Sequence, residues 1–255
     1  MTDTAHEGLQ LGREHGSRPR VAFFDTLRGF TLVSMCAFHA CYDLAYLFNV
    51  AMPWFTDPFI QSLWRDSISF TFLILAGWMT SYSRDNLKRA ATYAIAALAV
   101  WAATTFAAVD TPVNFGILYC MAACTLIWAC LERAFGGICN ALPDGFILAA
   151  YVAMLALFIL TDGVQRGRYP IEGLAWLGFP SPSFASGDYY PLLPYLFLYL
   201  FGVFGAMRER RMRACEPTWM LRNWCPPLTF IGKHSLLVYL VHQPVVLLAL
   251  QLFLG

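Results

Sequence analysis

Long apolar runs recur along almost the whole chain, and they limit its fold more than any other feature. Each of seven runs approaches the length of roughly 20 residues that a helix needs to cross a bilayer. They cover residues 23–48, 59–82, 89–109, 113–133, 145–162, 189–207 and 229–253. We therefore predict an all-α fold, a polytopic integral membrane helix bundle with about seven transmembrane helices.

The composition excludes several classes of protein. Hydrophobic residues make up 58% of the 255 residues and charged residues 13%, with a mean hydropathy of +0.54. Soluble domains carry about 25% charged residues because their surfaces face water, so a soluble enzyme and a disordered chain are excluded. A net charge of +1 gives no footprint for nucleic acid. The partner expected from this composition is the lipid bilayer, and homo-oligomerisation is left open.

The chain divides into a short tail and one membrane domain. Residues 1–20 are polar and contain Gly and Pro, which predicts a disordered cytoplasmic tail, and 21–255 are expected to form a single transmembrane domain. The first apolar run has no clear cleavage site, so we expect it to be retained rather than removed as a signal peptide. Most of the eight Cys lie in or beside apolar runs and are expected to be buried hydrophobes, with no metal site.

The distribution of Lys and Arg predicts the orientation. Basic residues cluster before the first run, after the second and after the sixth, which are three segments on one side of a seven-span bundle. They are Arg13, Arg18, Arg20, Arg84, Lys88, Arg89, Arg208, Arg210, Arg211, Arg213 and Arg222. The positive-inside rule then predicts a cytoplasmic N-terminus and an external C-terminus, in a plasma or inner membrane. A turn at 110–112 joins the third and fourth runs, and 163–188 is a candidate external lid.

Polar residues within the runs are functional candidates, because ionisable groups are costly in a membrane. A helical rise of about 1.5 Å per residue gives their depths. Those at middle or outer depth are His39, Asp43, Arg65, Asp66, Asn114, Tyr119, Asp188, Tyr239, His242 and Gln243. Those near the cytoplasmic edge are Asp25, Arg28, Lys233 and His234. This distribution predicts a basic inner mouth and a polar outer chamber.

His39 and Asp43 form the most specific pair. They are four residues apart and therefore share one face of a helix. A carboxylate beside an imidazole keeps one ring nitrogen protonated and leaves the other as an acceptor, which is what a general base requires. We predict that His39 is the base and that Asp43 orients it. The alternative is a structural charge network that joins helices, for instance Asp43–Arg65, with Asp25 and Asp66 as further members.

Several short motifs resemble a known family when they are taken in order. They lie at 24–30, 38–44, 72–77, 114–118, 188–194 and 231–244, and they span most of 22–250. The chain resembles the bacterial DUF1624 group, which is related to the catalytic domain of heparan-α-glucosaminide N-acetyltransferase and to YeiB-like transmembrane acyltransferases. The resemblance implies an enzyme that moves acetyl from cytoplasmic acetyl-CoA to an amine or hydroxyl of a glycan or amino sugar across the membrane.

The resemblance suggests roles for the two polar sets. Arg28, Lys233 and His234 are expected to bind acetyl-CoA, which is a donor substrate. The outer set is expected to bind the acceptor or stabilise the oxyanion, and its members are Asn114, Tyr119, Asp188, Tyr239, His242 and Gln243.

Two positions depart from the family pattern. Tyr119 stands where a His is expected after Gly-Ile-Leu. The eukaryotic enzyme has Asn at the position of His39 and an active His in the next external loop, whereas 49–58 contains no His. The role of His39 therefore rests on its position and chemistry alone.

Two other functions are compatible with the same residues. A proton-coupled transporter would use Asp43, Arg65 and Asp188 as a relay, but no inverted repeat is visible. A b-type cytochrome would use His39 and His242 as axial haem ligands, but His39 would then lie beside a carboxylate. We favour acyl transfer and expect neither haem nor metal.

Overall fold

Helices make up all the regular secondary structure of the described chain. A computed structural model describes residues 21–106, 111–213 and 216–254. The α-helices in these ranges are α1 (Ala22–Tyr46), α2 (Pro53–Thr56), α3 (Pro58–Trp78), α4 (Asn86–Phe106), α5 (Ile117–Ala141), α6 (Asp144–Thr161), α7 (Leu192–Met212), α8 (Thr218–Leu221), α9 (Pro226–Lys233) and α10 (Ser235–Leu254). The all-α prediction is confirmed for these residues. The predicted tail at 1–20 and Asp110 of the predicted turn lie outside them.

Local sequence signals set several helix boundaries. The Asp57 carboxylate accepts the N–H groups of Phe59 and Ile60 at 3.0 and 3.1 Å, and Pro58 is the first residue of α3. The sixth predicted run starts as a helix only at Leu192, because Pro191 directly precedes it in extended backbone.

The last predicted run is not one helix, which corrects the expectation for 229–253. The chain leaves helical geometry at His234, with φ −104° and ψ 26°, and this residue separates α9 from α10. The separation lets α9 pack along the start of α1 while α10 continues toward the end of α1.

Basic side chains mark one end of the bundle, which we call the arginine-rich end. Here Asn86, the first residue of α4, donates to Glu132 in the second half of α5 at 3.0 Å. Arg211 at the end of α7 pairs with Asp144 at the start of α6, also at 3.0 Å. These contacts make α4 antiparallel to α5 and α6 antiparallel to α7.

The opposite end shows the complementary contacts. Gln61 near the start of α3 donates to the Tyr46 hydroxyl at the end of α1 over 3.1 Å. Gln165, just beyond α6, donates to the Tyr195 hydroxyl in the first turn of α7 over 2.8 Å. Consecutive long helices therefore alternate in direction, and polar residues near the start of α5 and the end of α1 lie at this same end.

Glycines allow two pairs of helices to touch backbone to backbone. A Cβ on Gly29 of α1 would lie 1.9 Å from the carbonyl oxygen of Leu228 in α9, and one on Gly232 would lie 1.8 Å from a carbonyl oxygen of α1. A Cβ on Gly77 of α3 would lie 2.0 Å from the carbonyl oxygen of Tyr199 in α7. Such small-residue contacts are typical of helices packed in membranes.

The surface of the bundle is apolar. No residue of α10 is buried although the helix is strongly apolar, and Phe253 and Leu160 are 86% and 80% exposed. A surface of this kind faces lipid rather than water. By length and composition, four stretches of the described chain qualify as membrane spans, namely Ile117–Gly137, Asp144–Arg166, Leu192–Met212 and Ser235–Leu254.

The prediction of seven spans is therefore met in part. The remaining long helices α1, α3 and α4 have 25, 21 and 21 residues, enough to cross about 30 Å of hydrocarbon. Four candidate spans are shown, and the total of seven stays a prediction.

Candidate active site

Two histidines from different helices meet in the half of the bundle that lies away from the arginine-rich end. His39 lies on α1, which is one continuous helix through this point, and His242 lies on α10. Their ring centroids are 4.9 Å apart and their planes are inclined by 56°. A porphyrin would have to pass between the two rings, and 4.9 Å leaves no room for it. We call these residues the histidine pair.

The tautomer of His242 follows from its hydrogen bond. Its Nδ1 is bonded to the backbone carbonyl of Tyr239, and a carbonyl oxygen only accepts, so Nδ1 carries the proton. Nε2 then has a free lone pair. This atom is buried and has no hydrogen-bond partner in the described part of the chain. His242 therefore presents an unprotonated ring nitrogen inside the bundle, which is the form a general base needs.

Asp43 anchors α10 to α1. Asp43 is only 2% exposed. Both oxygens of its carboxylate accept hydrogen bonds from the Gln243 side-chain amide, Oδ2 at 3.0 Å and Oδ1 at 3.2 Å. The sequence predicted that Asp43 would orient His39, but the structure has no hydrogen bond between these two described residues. The carboxylate instead fixes the neighbour of His242, and the shared face predicted for His39 and Asp43 is occupied by α10.

A cavity of about 360 Å³ opens from the arginine-rich end, and we call it the arginine cavity. Its walls come from α1, α3, α4, α5 and α10 and include Arg28 and Arg89. The Arg28 guanidinium pairs with Asp25 at 2.9 Å. The Arg89 guanidinium donates to the carbonyl of Ala76 at 2.6 Å, while its Nη1 is buried without a partner among the described residues. Two cationic groups thus line one cavity.

One residue, Tyr239, lies between the arginine cavity and the histidine pair. Tyr239 lines the cavity, and its ring centroid is 5.5 Å from that of His242. Along α1, Arg28 and His39 are eleven residues apart, which corresponds to about 16 Å of helical rise. Arg28 and His39 are therefore separated by this distance along α1, and Tyr239 lies between the cavity and His242.

A second cavity of about 810 Å³ lies along α4 and α5, and we call it the alanine cavity. It is open to the surface of the bundle, because Leu98, Trp101 and Leu126 in its lining are exposed. The small side chains of Ala94 and Ala97 on α4 and of Ala122 and Ala123 on α5 leave this space open. Tyr239 lines it as well, so the two cavities adjoin at this side chain.

The loop before α7 is fastened to the start of α5. The Asp188 carboxylate accepts the N–H of Ile117 at 3.2 Å, and the Ser186 hydroxyl oxygen accepts the N–H of Asn114 at 2.9 Å. Burial raises the pKa of Asp188 to about 6, while the Ile117 bond and the nearby Arg65 charge act against the rise. Phe115 between them has φ +57°, an uncommon conformation for a bulky residue. The predicted lid is therefore held by hydrogen bonds in this conformation.

A family model for the catalytic domain of heparan-alpha-glucosaminide N-acetyltransferase matches residues 20–244. The chain belongs to this family. Comparison of the chain with the curated proteins and with the solved structures found no match. The resemblance predicted from the motifs is confirmed.

Membership sets the general activity. This acetyltransferase family implies a membrane enzyme that transfers acetyl groups, and its members in general use acetyl-CoA as the donor.

The structure separates the predicted outer residues into groups. His39, Asp43, His242 and Gln243 meet between α1 and α10. Tyr119 and Tyr239 both line the alanine cavity. Asn114 also lines it, but its side-chain amide donates to the carbonyl of Ala185 at 3.3 Å and helps to hold the loop.

Arg65 is not the partner of Asp43. It forms a 2.9 Å ion pair with its neighbour Asp66, and its side chain is 51% exposed. The predicted structural bridge Asp43–Arg65 is therefore wrong. Arg65 pairs with Asp66, and the Asp43 carboxylate accepts hydrogen bonds from Gln243 instead.

The structure also places the predicted donor residues apart from one another. Arg28 lines the arginine cavity, whereas Lys233 and His234 are exposed and are not among its walls. The Nδ1 of His234 is bonded to the Phe230 carbonyl at 3.0 Å. Sequence reasoning used Arg89 only to orient the chain. Arg89 lies four residues before Tyr93 on α4, so both side chains share the helix face that lines the cavity. This spacing is the sequence signal that relates Arg89 to the cavity.

Proposed function

We propose that this family member is a transmembrane acetyltransferase that moves acetyl from cytoplasmic acetyl-CoA to an extracytoplasmic acceptor. The acceptor group is an amine or hydroxyl of a glycan or amino sugar. One observation carries the proposal: the arginine cavity leads from two cationic groups to Tyr239, which contacts the histidine pair. An anionic donor entering at one end would present its thioester at the other.

The donor would bind through its phosphates. Arg28 and Arg89 line the arginine cavity, and Nη1 of Arg89 has a donor hydrogen that no described residue accepts. Arg–phosphate hydrogen bonds are charge-assisted and strong. The rise of about 16 Å along α1 from Arg28 to His39 suits the extended arm between the CoA phosphates and its sulfur.

The histidine pair would supply the base. His39 removes the proton from the acceptor amine or hydroxyl, whose N or O attacks the thioester carbonyl. The C–S bond breaks, acetyl passes to the acceptor, and the CoA thiolate receives a proton. His242 has an unprotonated Nε2 and lies beside His39. Asp43 would position His242 through its hydrogen bonds to the neighbouring Gln243. The hydroxyls of Tyr119 and Tyr239 are the candidates for stabilising the oxyanion.

The topology is part of the proposal. Seven helices of 18 residues or more lie in the described chain, and their alternating direction would place both ends of the bundle at opposite membrane faces. We place the protein in a plasma or inner membrane with its arginine-rich end on the cytoplasmic face. An odd number of seven spans then puts the C-terminus on the external face. A C-terminal alkaline phosphatase fusion should be active and a green fluorescent protein fusion dark. The reverse pattern would contradict seven spans.

The decisive experiment uses purified protein in lipid nanodiscs with acetyl-CoA labelled in the acetyl group. A panel of amino sugars and neutral sugars serves as acceptors, and protein-free nanodiscs are the control. We expect protein-dependent release of CoA thiol together with labelled sugar. Binding of acetyl-CoA without transfer to any acceptor would contradict the glycan acceptor, and absence of binding would contradict the donor.

A further inference from the structure

We propose that the alanine cavity binds the acyl chain of the donor, so that the enzyme accepts acyl-CoA thioesters longer than acetyl-CoA. This inference rests on the proposed function, since it takes the arginine cavity as the site of the CoA phosphates. The observation behind it is a cavity much larger than an acetyl group directly beside the path of the thioester.

The size and lining of the alanine cavity suit a flexible apolar chain. Its volume of about 810 Å³ lies within the range of roughly 300–1,000 Å³ that small-molecule sites occupy. Alanines on α4 and α5 form much of the wall, together with Leu98, Trp101 and Leu126. Such a site binds by burying apolar surface and offers few partners to a polar sugar.

The two cavities have a common wall, which favours one ligand that occupies both. Ile117, Leu118 and Tyr239 line the arginine cavity and the alanine cavity alike. On α4, Arg89 and Tyr93 face the first cavity while Ala90 and Ala94 face the second. A ligand with phosphates near Arg89 and a chain along Ala94 would therefore pass Tyr239 at the junction.

Charge complementarity identifies the ligand as an acyl-CoA rather than a neutral lipid. The arginine cavity carries Arg28 and Arg89, and the buried Nη1 of Arg89 has no acceptor in the described chain. An acyl-CoA supplies phosphates for these groups and an apolar chain for the alanine cavity. The reaction is unchanged: the acyl C–S bond breaks, a bond from acyl carbon to acceptor N or O forms, and the acceptor proton goes to His39.

The affinity should grow with the length of the chain. Each methylene moved from water into an apolar site contributes about fourfold, the equivalent of about 0.8 kcal/mol. Non-reactive S-ethyl-CoA and S-decyl-CoA thioethers test this without an acceptor. We expect S-decyl-CoA to bind at least about tenfold more tightly than S-ethyl-CoA to the protein in nanodiscs, after subtraction of binding to protein-free nanodiscs.

Two substitutions on α4 form a matched pair. Ala94 and Ala99 are both exposed alanines of this helix, but only Ala94 lines the alanine cavity. Ala94→Phe should fill the cavity and make the two thioethers bind equally, whereas Ala99→Phe should keep the preference for S-decyl-CoA. Ala91→Phe, at a second exposed position of the cavity wall, replaces Ala94→Phe if that variant does not fold.

The remaining outcomes distinguish this inference from the proposed function. Equal binding of both thioethers to the unsubstituted protein, or an unchanged preference in Ala94→Phe, would overturn the acyl site and leave acetyl-CoA as donor. Competition by free decanoate as strong as that by S-decyl-CoA would assign the cavity to membrane lipid or a lipid acceptor and would overturn it too. If neither thioether binds, the proposed donor is wrong and the acyl site falls with it.

Discussion

Helix α1 makes two contacts that differ in kind. At the arginine-rich end it meets α9 backbone to backbone at Gly29 and Gly232, and Thr26 shares a 2.8 Å hydrogen bond with Thr229. Toward the opposite end it meets α10 through the Asp43–Gln243 hydrogen bonds and the histidine pair, on a helix with no buried residue. At the arginine-rich end α1 is therefore held to α9 by backbone contact, whereas beside the histidine pair α1 and α10 are held together by side chains.

The largest effect is expected at the backbone contact. In Gly29→Ala the new Cβ would lie 1.9 Å from the Leu228 carbonyl oxygen, and neither backbone can move without separating α1 from α9. Overpacking typically costs about 1–3 kcal/mol, and we expect this substitution to reach or exceed the upper end because the facing atom belongs to the backbone. We expect almost no folded protein, measured as the yield of monodisperse material and by its thermal transition.

The matched control for this contact is Gly136→Ala, because a Cβ there has nothing within 4 Å. It should fold as well as the unsubstituted protein. If Gly29→Ala keeps a normal yield and melting temperature, α1 and α9 are not held by this contact and the contrast with α10 disappears.

The second effect concerns the side-chain contact and activity. His39→Ala should lower the transfer rate by about 10²–10⁴-fold, because it removes the general base, while thermal stability stays close to that of the unsubstituted protein. Asp43→Asn should have a smaller effect, since it positions rather than reacts. Transfer is measured with labelled acetyl-CoA.

Tyr42→Ala is the control for His39→Ala. Tyr42 is an exposed aromatic residue of α1 whose ring contacts that of Tyr46 at 4.7 Å. It should retain activity. If His242→Ala abolishes transfer and His39→Ala does not, the base lies on α10. If His39→Ala instead loses the fold, the histidine pair is structural.

A third effect, at the arginine-rich end, separates binding of the donor from the rate of the transfer step. Arg28→Ala and Arg89→Ala should each raise KM for acetyl-CoA roughly tenfold or more, because each removes a charged donor of hydrogen bonds to phosphate, while kcat changes little. Lys88→Ala is the control, since this exposed α4 residue lines neither cavity. Unchanged KM in both arginine variants would place the donor elsewhere.

The smallest expected effect is on thermal stability, through Asp188 in the loop before α7. Its carboxylate accepts the N–H of Ile117 at the start of α5, at the end of the bundle opposite the arginine-rich end. Because the pKa of Asp188 is raised to about 6, the folded state favours the neutral acid, and its stability falls as the pH rises from about 4 through 6. Asp188→Asn keeps an oxygen acceptor and carries no charge. Its melting temperature should therefore exceed that of the unsubstituted protein by a few degrees at pH 7 and by less at pH 4.5.

Asp85→Asn is the control of opposite sign. Asp85 accepts the N–H groups of Leu87 and Lys88, and the Lys88 bond is the main cause of its lowered pKa. This substitution should remove a small stabilisation that the unsubstituted protein has at pH 7 and loses in acid. A pH-independent difference for Asp188→Asn would show that its carboxyl is not held in an unfavourable environment.

Much of this protein is determined by local sequence. Apolar runs of helical length and the turn residues between them predict the long helices, because hydrophobicity and capping act over a few neighbouring residues. The motifs also identify the family that the comparison confirms. The four-residue spacing of His39 and Asp43 correctly places them on one continuous helix, α1.

The partners of these residues depend on the tertiary structure. Spacing along α1 defines a face, but only the packing of α10 brings His242 to His39 and gives Asp43 to Gln243. The break at His234 likewise separates α9 and α10, which pack against different parts of α1, and Lys233 beside it is exposed. A helical period determines which side chains share a face, whereas contacts between residues some 200 positions apart depend on how whole helices pack, and no local pattern encodes that.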